Sequence, residues 1–216
     1  LIMDEETTII NSNTRNEKIK NFFIDNKRTI ISIIISIIIL ISSYFIFNDF
    51  KYKKKVEASE LYNSIIIQHS KTSKIKTIDD LTNLINKEDS TYSPLALYFI
   101  IDNLLIEDQN KVNELFDIVI NNGSLDKEIK NLIQFKKALY NSDNIDENQL
   151  LNMLKPLINS ESIWKSHALY LMAEFFYSKD EKQKSKEFFT QIILLDKGNQ
   201  NLKIEAQKRL NRDLSE

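Results

Sequence analysis

A chain of 216 residues, 42% hydrophobic and 28% charged, has enough apolar material for one packed domain of ordinary size plus an apolar segment outside it. Two glycines and two prolines leave little for hairpin turns or phosphate-cradling loops, so long helices with few sharp breaks are expected. The absence of cysteine excludes disulfides and thiolate metal sites, and a net charge of −2 offers no clustered positive field for nucleic acid.

Residues 1 to 14 are polar, carry Asp4, Glu5 and Glu6 and show no helical stripe, so a mobile tail is expected there. From Thr29 to Asn48 the sequence reads TIISIIISIIILISSYFIFN, without a charge, flanked by Lys27 and Arg28 before and Asp49 and Lys51 after. At about 1.5 Å of rise per residue, a helix of this length spans roughly 30 Å, the thickness of a bilayer's hydrocarbon core. Four serines interrupt the isoleucines. Each hydroxyl can bond back to its own helix backbone, which keeps its cost in lipid modest. A cleaved signal peptide would have a shorter apolar run and a small-residue cleavage site, and a buried soluble helix would rarely be apolar on every face.

Arg15, Lys18, Lys20, Lys27 and Arg28 lie on the amino side, against Lys51, Lys53, Lys54 and Lys55 on the other. The positive-inside rule favours a cytoplasmic amino terminus by a narrow margin, and a large domain following a short tail fits the same direction. The organisation expected is a cytoplasmic tail over 1–28, a transmembrane helix over 29–48, a juxtamembrane helix or linker over 49–76 and a helical repeat domain over 77–216.

Beyond the apolar segment, Val56, Leu61 and Ile65 recur at spacings of about four, so the segment is expected to run directly into a soluble helix. Helices follow at about 77 to 88, 93 to 107, 109 to 122, 126 to 141, 146 to 159, 163 to 178, 180 to 195 and 200 to 213. Each has apolar residues three and four apart, and none alternates with period two, so the fold is read as all-α. Punctuation agrees, with Pro94 in a first turn, Gly123 after a helix and Asp146 before one. Pro156 predicts a kink or an early end.

Ala96, Leu97 and Tyr98 recur as Ala168, Leu169 and Tyr170, and Asp108 as Asp180, each 72 residues apart; with one insertion, Leu115 and Phe116 match Phe188 and Phe189. Seventy-two residues make two units of about 36, close to the tetratricopeptide period of about 34. Residues 169 to 196, LYLMAEFFYSKDEKQKSKEFFTQIILLD, resemble a degenerate tetratricopeptide repeat. Leu169, Met172, Ala173 and Phe176 take the first-helix packing positions, and Ser185, Phe189 and Ile192 those of the second. Ala173 and Ser185 are small because closely crossing helices leave no room for more. The fold expected is thus one N-terminal transmembrane helix followed by a degenerate tetratricopeptide-repeat-like α-solenoid.

Two stretches, RNEKIKNFFIDNKRTIISIII at 15 to 35 and LKPLINSESIWKSHALYLMAEFFYSKDEKQKSKEFF at 154 to 189, resemble the YfgM-like family of bacterial proteins, alphaproteobacterial type. The resemblance implies an inner-membrane protein whose repeat domain faces the periplasm, acting as an ancillary subunit of the SecYEG translocon and associated with the periplasmic chaperone PpiD.

The residues themselves point to no chemistry. His69 and His167 are the only histidines, the carboxylates sit among lysines on polar stretches, and two glycines cannot build a nucleotide-binding loop. No cofactor, metal or small-molecule substrate is expected, and the chain reads as a non-enzymatic binding module. First helices of stacked repeats form a common inner face. On it the positions beside the packing set are His167, Tyr170, Glu174 and Tyr177, matched 72 residues earlier by Tyr98 for Tyr170 and Asp102 for Glu174. Two readings fit: half-buried core tyrosines with solvated acids, or a groove for a protein partner. Trp164 is expected to pack against the preceding helix pair.

Overall fold

A computed structural model describes residues 17–214, so the tail expected over 1 to 14 lies outside the described residues. The described residues form helices without a strand, in two compact units that meet between Val56 and Glu57. The first unit holds α1 (residues 17–25) and the residues of α2 (Lys27–Gln68) up to Val56. Here α2 is apolar on every side: Ile31, Ile34, Ile38 and Ile41, and also Ile33, Ile37 and Leu40, all stand exposed. It is long and apolar enough to cross a membrane. The Ser36 hydroxyl donates to the Ser32 carbonyl at 2.9 Å, the back-bond expected of serines in this segment.

The second unit contains the end of α2, a short turn at His69–Lys71, and α3 (Lys74–Asn86), α4 (Tyr92–Asp102), α5 (Gln109–Asn121), α6 (Lys127–Asn141), α7 (Glu147–Ile158), α8 (Lys165–Ser178), α9 (Lys182–Leu194) and α10 (Gln200–Asp213). Five of these helices, α3, α5, α6, α7 and α10, start where a short polar side chain meets unpaired backbone N–H groups. Ser73 accepts from the Lys76 N–H, Asp108 from Asn110 and Lys111, Asp126 from Glu128, and Asn199 from Leu202. Asp146 and Gln149 close a reciprocal capping box. Helix α7 passes through Pro156 and ends at Ile158; a ring in the last turn removes one N–H without stopping the helix short.

Consecutive helices pack against one another from α3 to α10; taken as the pairs α4–α5, α6–α7 and α8–α9, the first helices also touch, α6 with α8 and α8 with α10. First helices begin at Tyr92, Lys127, Lys165 and Gln200, a period of about 36. The end of α2 joins them: Ala58 and Ile65 are buried in a cluster with Leu81, Leu84, Ile85, Leu97 and Phe116. A second cluster lies around Leu150, Leu154, Leu157, Met172 and Phe176, and a third around Leu169, Phe189, Ile192 and Ala206.

The close crossing of α8 and α9 has the predicted form. Ala173 and Ser185 are both fully buried, and the Ser185 hydroxyl donates to the Ala173 carbonyl at 2.9 Å. Ser93 does the same between α3 and α4, reaching the Leu84 and Ile85 carbonyls.

Helix α4 ends at Asp102, short of the expected 107. The chain leaves it through Leu104 at φ 49°, which lets Leu105 turn back and bury, its N–H donating to the Ile100 carbonyl at 2.9 Å. Glu88 and Asp180 take the same left-handed conformation after α3 and α8, so three side-chain-bearing residues occupy positions that favour glycine. The match of Asp108 with Asp180 therefore dissolves: Asp108 caps α5, whereas Asp180 makes the turn after α8.

Candidate functional site

Facing residues of α6, α8 and α10 enclose a pocket of about 250 Å³ lined by Phe135, Leu139, His167, Tyr170, Leu171, Glu174 and Leu202. Three of the residues singled out from sequence, His167, Tyr170 and Glu174, thus meet in one wall. They lie three and four apart on α8, one helical face. A more polar hollow of about 320 Å³ adjoins it along α8, sharing Leu171 and Glu174 and adding Asp143, Ser178 and Lys179.

His167 lies between Phe135 and Trp164, ring centroids 5.8 and 4.9 Å away. Burial pushes its pKa down, against the pull of the Ile163 carbonyl. Trp164 packs on Phe135 and donates its indole N–H to the Glu128 carbonyl at 3.1 Å, joining the preceding helix pair as expected. Tyr170 stands edge-on to Phe189; burial and then the Glu174 charge push its hydroxyl up to about 12.

Glu174 is held within the domain by an ion pair while about a third of its side chain stays exposed. Arg209 of α10 grips it with two hydrogen bonds, at 3.0 and 2.8 Å, and also pairs with Asp213. The same guanidinium lies 4.2 Å over the ring of Tyr177, further along α8. Sequence reasoning missed Arg209 because α10 lies outside the 72-residue repeat. It also missed Phe135, Leu139 and Leu202, which belong to the same face of the neighbouring first helices.

Tyr98 and Asp102 lie on α4 and line no wall of this pocket. The Tyr98 ring carries Lys136 Nζ at 4.2 Å, while its hydroxyl is buried without a partner. Burial and then the Asp102 charge push that hydroxyl up to about 12.

His69 has its Nδ1 3.4 Å from the Thr77 hydroxyl and its ring against Phe99. Among the described residues no group of three or more Asp, Glu or His is disposed to hold a metal ion.

Paired helices of constant period, with first helices sharing a pocketed face, define a helical-repeat protein of the kind that presents a surface to other proteins. The family described as tetratricopeptide repeat-like domain matches residues 20–192, and the chain belongs to it. Such domains are typically non-enzymatic interaction modules. No curated protein and no solved structure matches the chain.

Proposed function

We propose that this protein is a membrane-anchored interaction module of the bacterial inner membrane, an accessory factor of the Sec translocon and the periplasmic chaperone network. In this reading the tail over 1–28 is cytoplasmic, residues 29–48 span the bilayer, and the chain from 49 onward, with its repeat domain over 77–216, is periplasmic. The observation that carries the reading is a helix with apolar residues exposed on every side, in the same chain as a tetratricopeptide repeat-like domain. The naming of SecYEG and PpiD as partners rests on the resemblance of residues 15 to 35 and 154 to 189 to YfgM-like proteins.

The docking face proposed is that of α4 and α8, with Tyr98, Asp102, His167, Tyr170, Glu174 and Tyr177 as its residues. Glu174 acts there through its Arg209 pair, and Leu139 and Leu202 supply apolar walls. A photoreactive side chain at Leu139 or Leu202, activated in native membranes, should capture translocon subunits or a periplasmic chaperone. Capture of division or cell-wall proteins instead would favour a scaffold that tethers an envelope assembly. Because the chain lacks cysteine, single cysteines placed at 20 and 160 would report sidedness by labelling with a membrane-impermeant reagent.

A further inference from the structure

We propose that Lys51, Lys53, Lys54 and Lys55 form a collar on α2 that binds the phosphates of anionic lipid headgroups at the domain-side end of the span; this rests on the anchoring reading above. The four lysines occur within five residues, directly after the apolar segment and among Phe47, Phe50 and Tyr52. At 3.6 residues per turn they are distributed around the rod rather than along one stripe.

Three of the four side chains lean back along the helix. Lys51 Nζ lies 5.1 Å from the Phe47 ring centroid, Lys54 Nζ 4.7 Å from that of Phe50, and Lys53 Nζ 2.8 Å from the Asp49 carboxylate. Each contact is with the residue four positions earlier, the direction in which helical side chains lean. The ammonium groups of Lys51, Lys53 and Lys54 are therefore drawn back about one turn, roughly 5.4 Å, toward the apolar segment. That brings them level with residues 47 to 50, where about 20 spanning residues from Thr29 reach the headgroup layer.

The exposed Phe47, Phe50 and Tyr52 suit the same layer, since aromatic rings favour the interface and lysine stems lie along apolar surface with the charge in water. Charge complementarity selects the lipid: within two residues of the four cations the sequence holds only two acids, Asp49 and Glu57. A headgroup role also accounts for a lysine cluster on the side that the positive-inside rule would leave poor in positive charge.

The test uses the full chain in vesicles of phosphatidylcholine, alone or mixed with phosphatidylglycerol, with spin-labelled versions of each lipid. The native chain should associate with labelled phosphatidylglycerol at least about threefold more strongly than with phosphatidylcholine, given the attraction of each lysine near an anionic surface. The combined variant Lys51→Gln, Lys53→Gln, Lys54→Gln, Lys55→Gln should lose that preference, and the four corresponding Lys→Arg changes should keep it. Helicity by circular dichroism shows that the variants fold. Equal association of both lipids with the native chain, or a preference that survives in the glutamine variant, overturns the collar. Flotation with neutral vesicles after an alkaline wash separates the two readings. A chain that floats without lipid preference loses only the collar, whereas one that does not float loses the anchor as well.

Discussion

Arg209→Met tests how α10 is held and, with it, whether Glu174 belongs to the domain or to a partner. Methionine keeps most of the methylene stem over Tyr177 and removes the charge that meets Glu174 and Asp213. A close ion pair at an effective dielectric near 20 attracts by about 4 kcal/mol, most of which desolvation and side-chain ordering offset. Glu174 keeps about a third of its side chain in water, 35% against 13% for Arg209, so solvent screening reduces the remainder further. The expected loss is about 1–2 kcal/mol, which in a unit of roughly 160 residues lowers Tm by about 3–6 °C. Trp164, the only tryptophan, lies against Phe135 and reports unfolding by its fluorescence in the full chain in detergent. A double-mutant cycle with Glu174→Gln should return a coupling of about 1 kcal/mol. A loss below about 0.5 kcal/mol with no coupling would refute the reasoning and leave α10 held by its apolar packing through Leu202, Ala206 and Leu210 and by its other hydrogen bonds.

Three other outcomes are expected. Tyr98→Phe removes a buried hydroxyl that has no partner and keeps the ring under Lys136, so stability should hold or rise by up to about 1 kcal/mol in denaturant titration; a clear loss would mean the hydroxyl is bonded. Burial raises Tyr98 and Tyr170 to about 12 from an ordinary value of 10, so the folded chain keeps protons that the unfolded chain releases. Their contribution is complete below pH 10 and is lost as pH rises through 12; unfolding midpoints should fall across that window, less so in Tyr98→Phe. Ser185→Val should cost about 2 kcal/mol by overfilling the α8–α9 contact and removing the bond to Ala173, seen as a lower Tm. A Tm equal to the native one would show that the crossing is looser than the burial of Ala173 and Ser185 implies.

The helix pattern was legible because amphipathic spacing and short polar caps are local properties. All eight helices expected after residue 76 are present, and several start on side-chain caps such as Asp108, Asp126 and Asp146. The end of α4 was not legible: Leu104 and Leu105 continue an apolar pattern, and the turn is driven by burial of Leu105 rather than by a glycine or proline signal. The site was legible only where it lay on one helix. His167, Tyr170 and Glu174 share a face of α8 by spacing alone, but the walls from α6 and α10 depend on how units stack. Equating Tyr98 with Tyr170 by sequence also overlooked their neighbours, since Lys136 covers the former and Phe189 abuts the latter.

Why the likeness surfaces at 72 residues and not at 36 follows from the joints between units. Each joint is closed by side chains that do not repeat. Asn122 and Ser124 donate to the Glu88 carbonyl, at 2.6 and 3.2 Å. Glu128 accepts from the Ser162 hydroxyl at 2.7 Å and the Ile163 N–H at 3.3 Å. The Ser166 hydroxyl accepts from the Asn199 N–H at 3.0 Å. Buried Asn141 adds a fourth, exchanging amide bonds with Asn113 and accepting from Gln109. These polar joints substitute for the glycine and proline that would otherwise shape the turns, and Glu88 shows the link directly. Its backbone is held at φ 54°, and its carbonyl is the acceptor shared by Asn122 and Ser124. An unfavourable backbone conformation there is offset by bonds that a helical carbonyl could not make. Adjacent units have solved the turn with different residues, so only the close-packed positions retain a common pattern, and those recur most clearly between α4 and α8, two units apart.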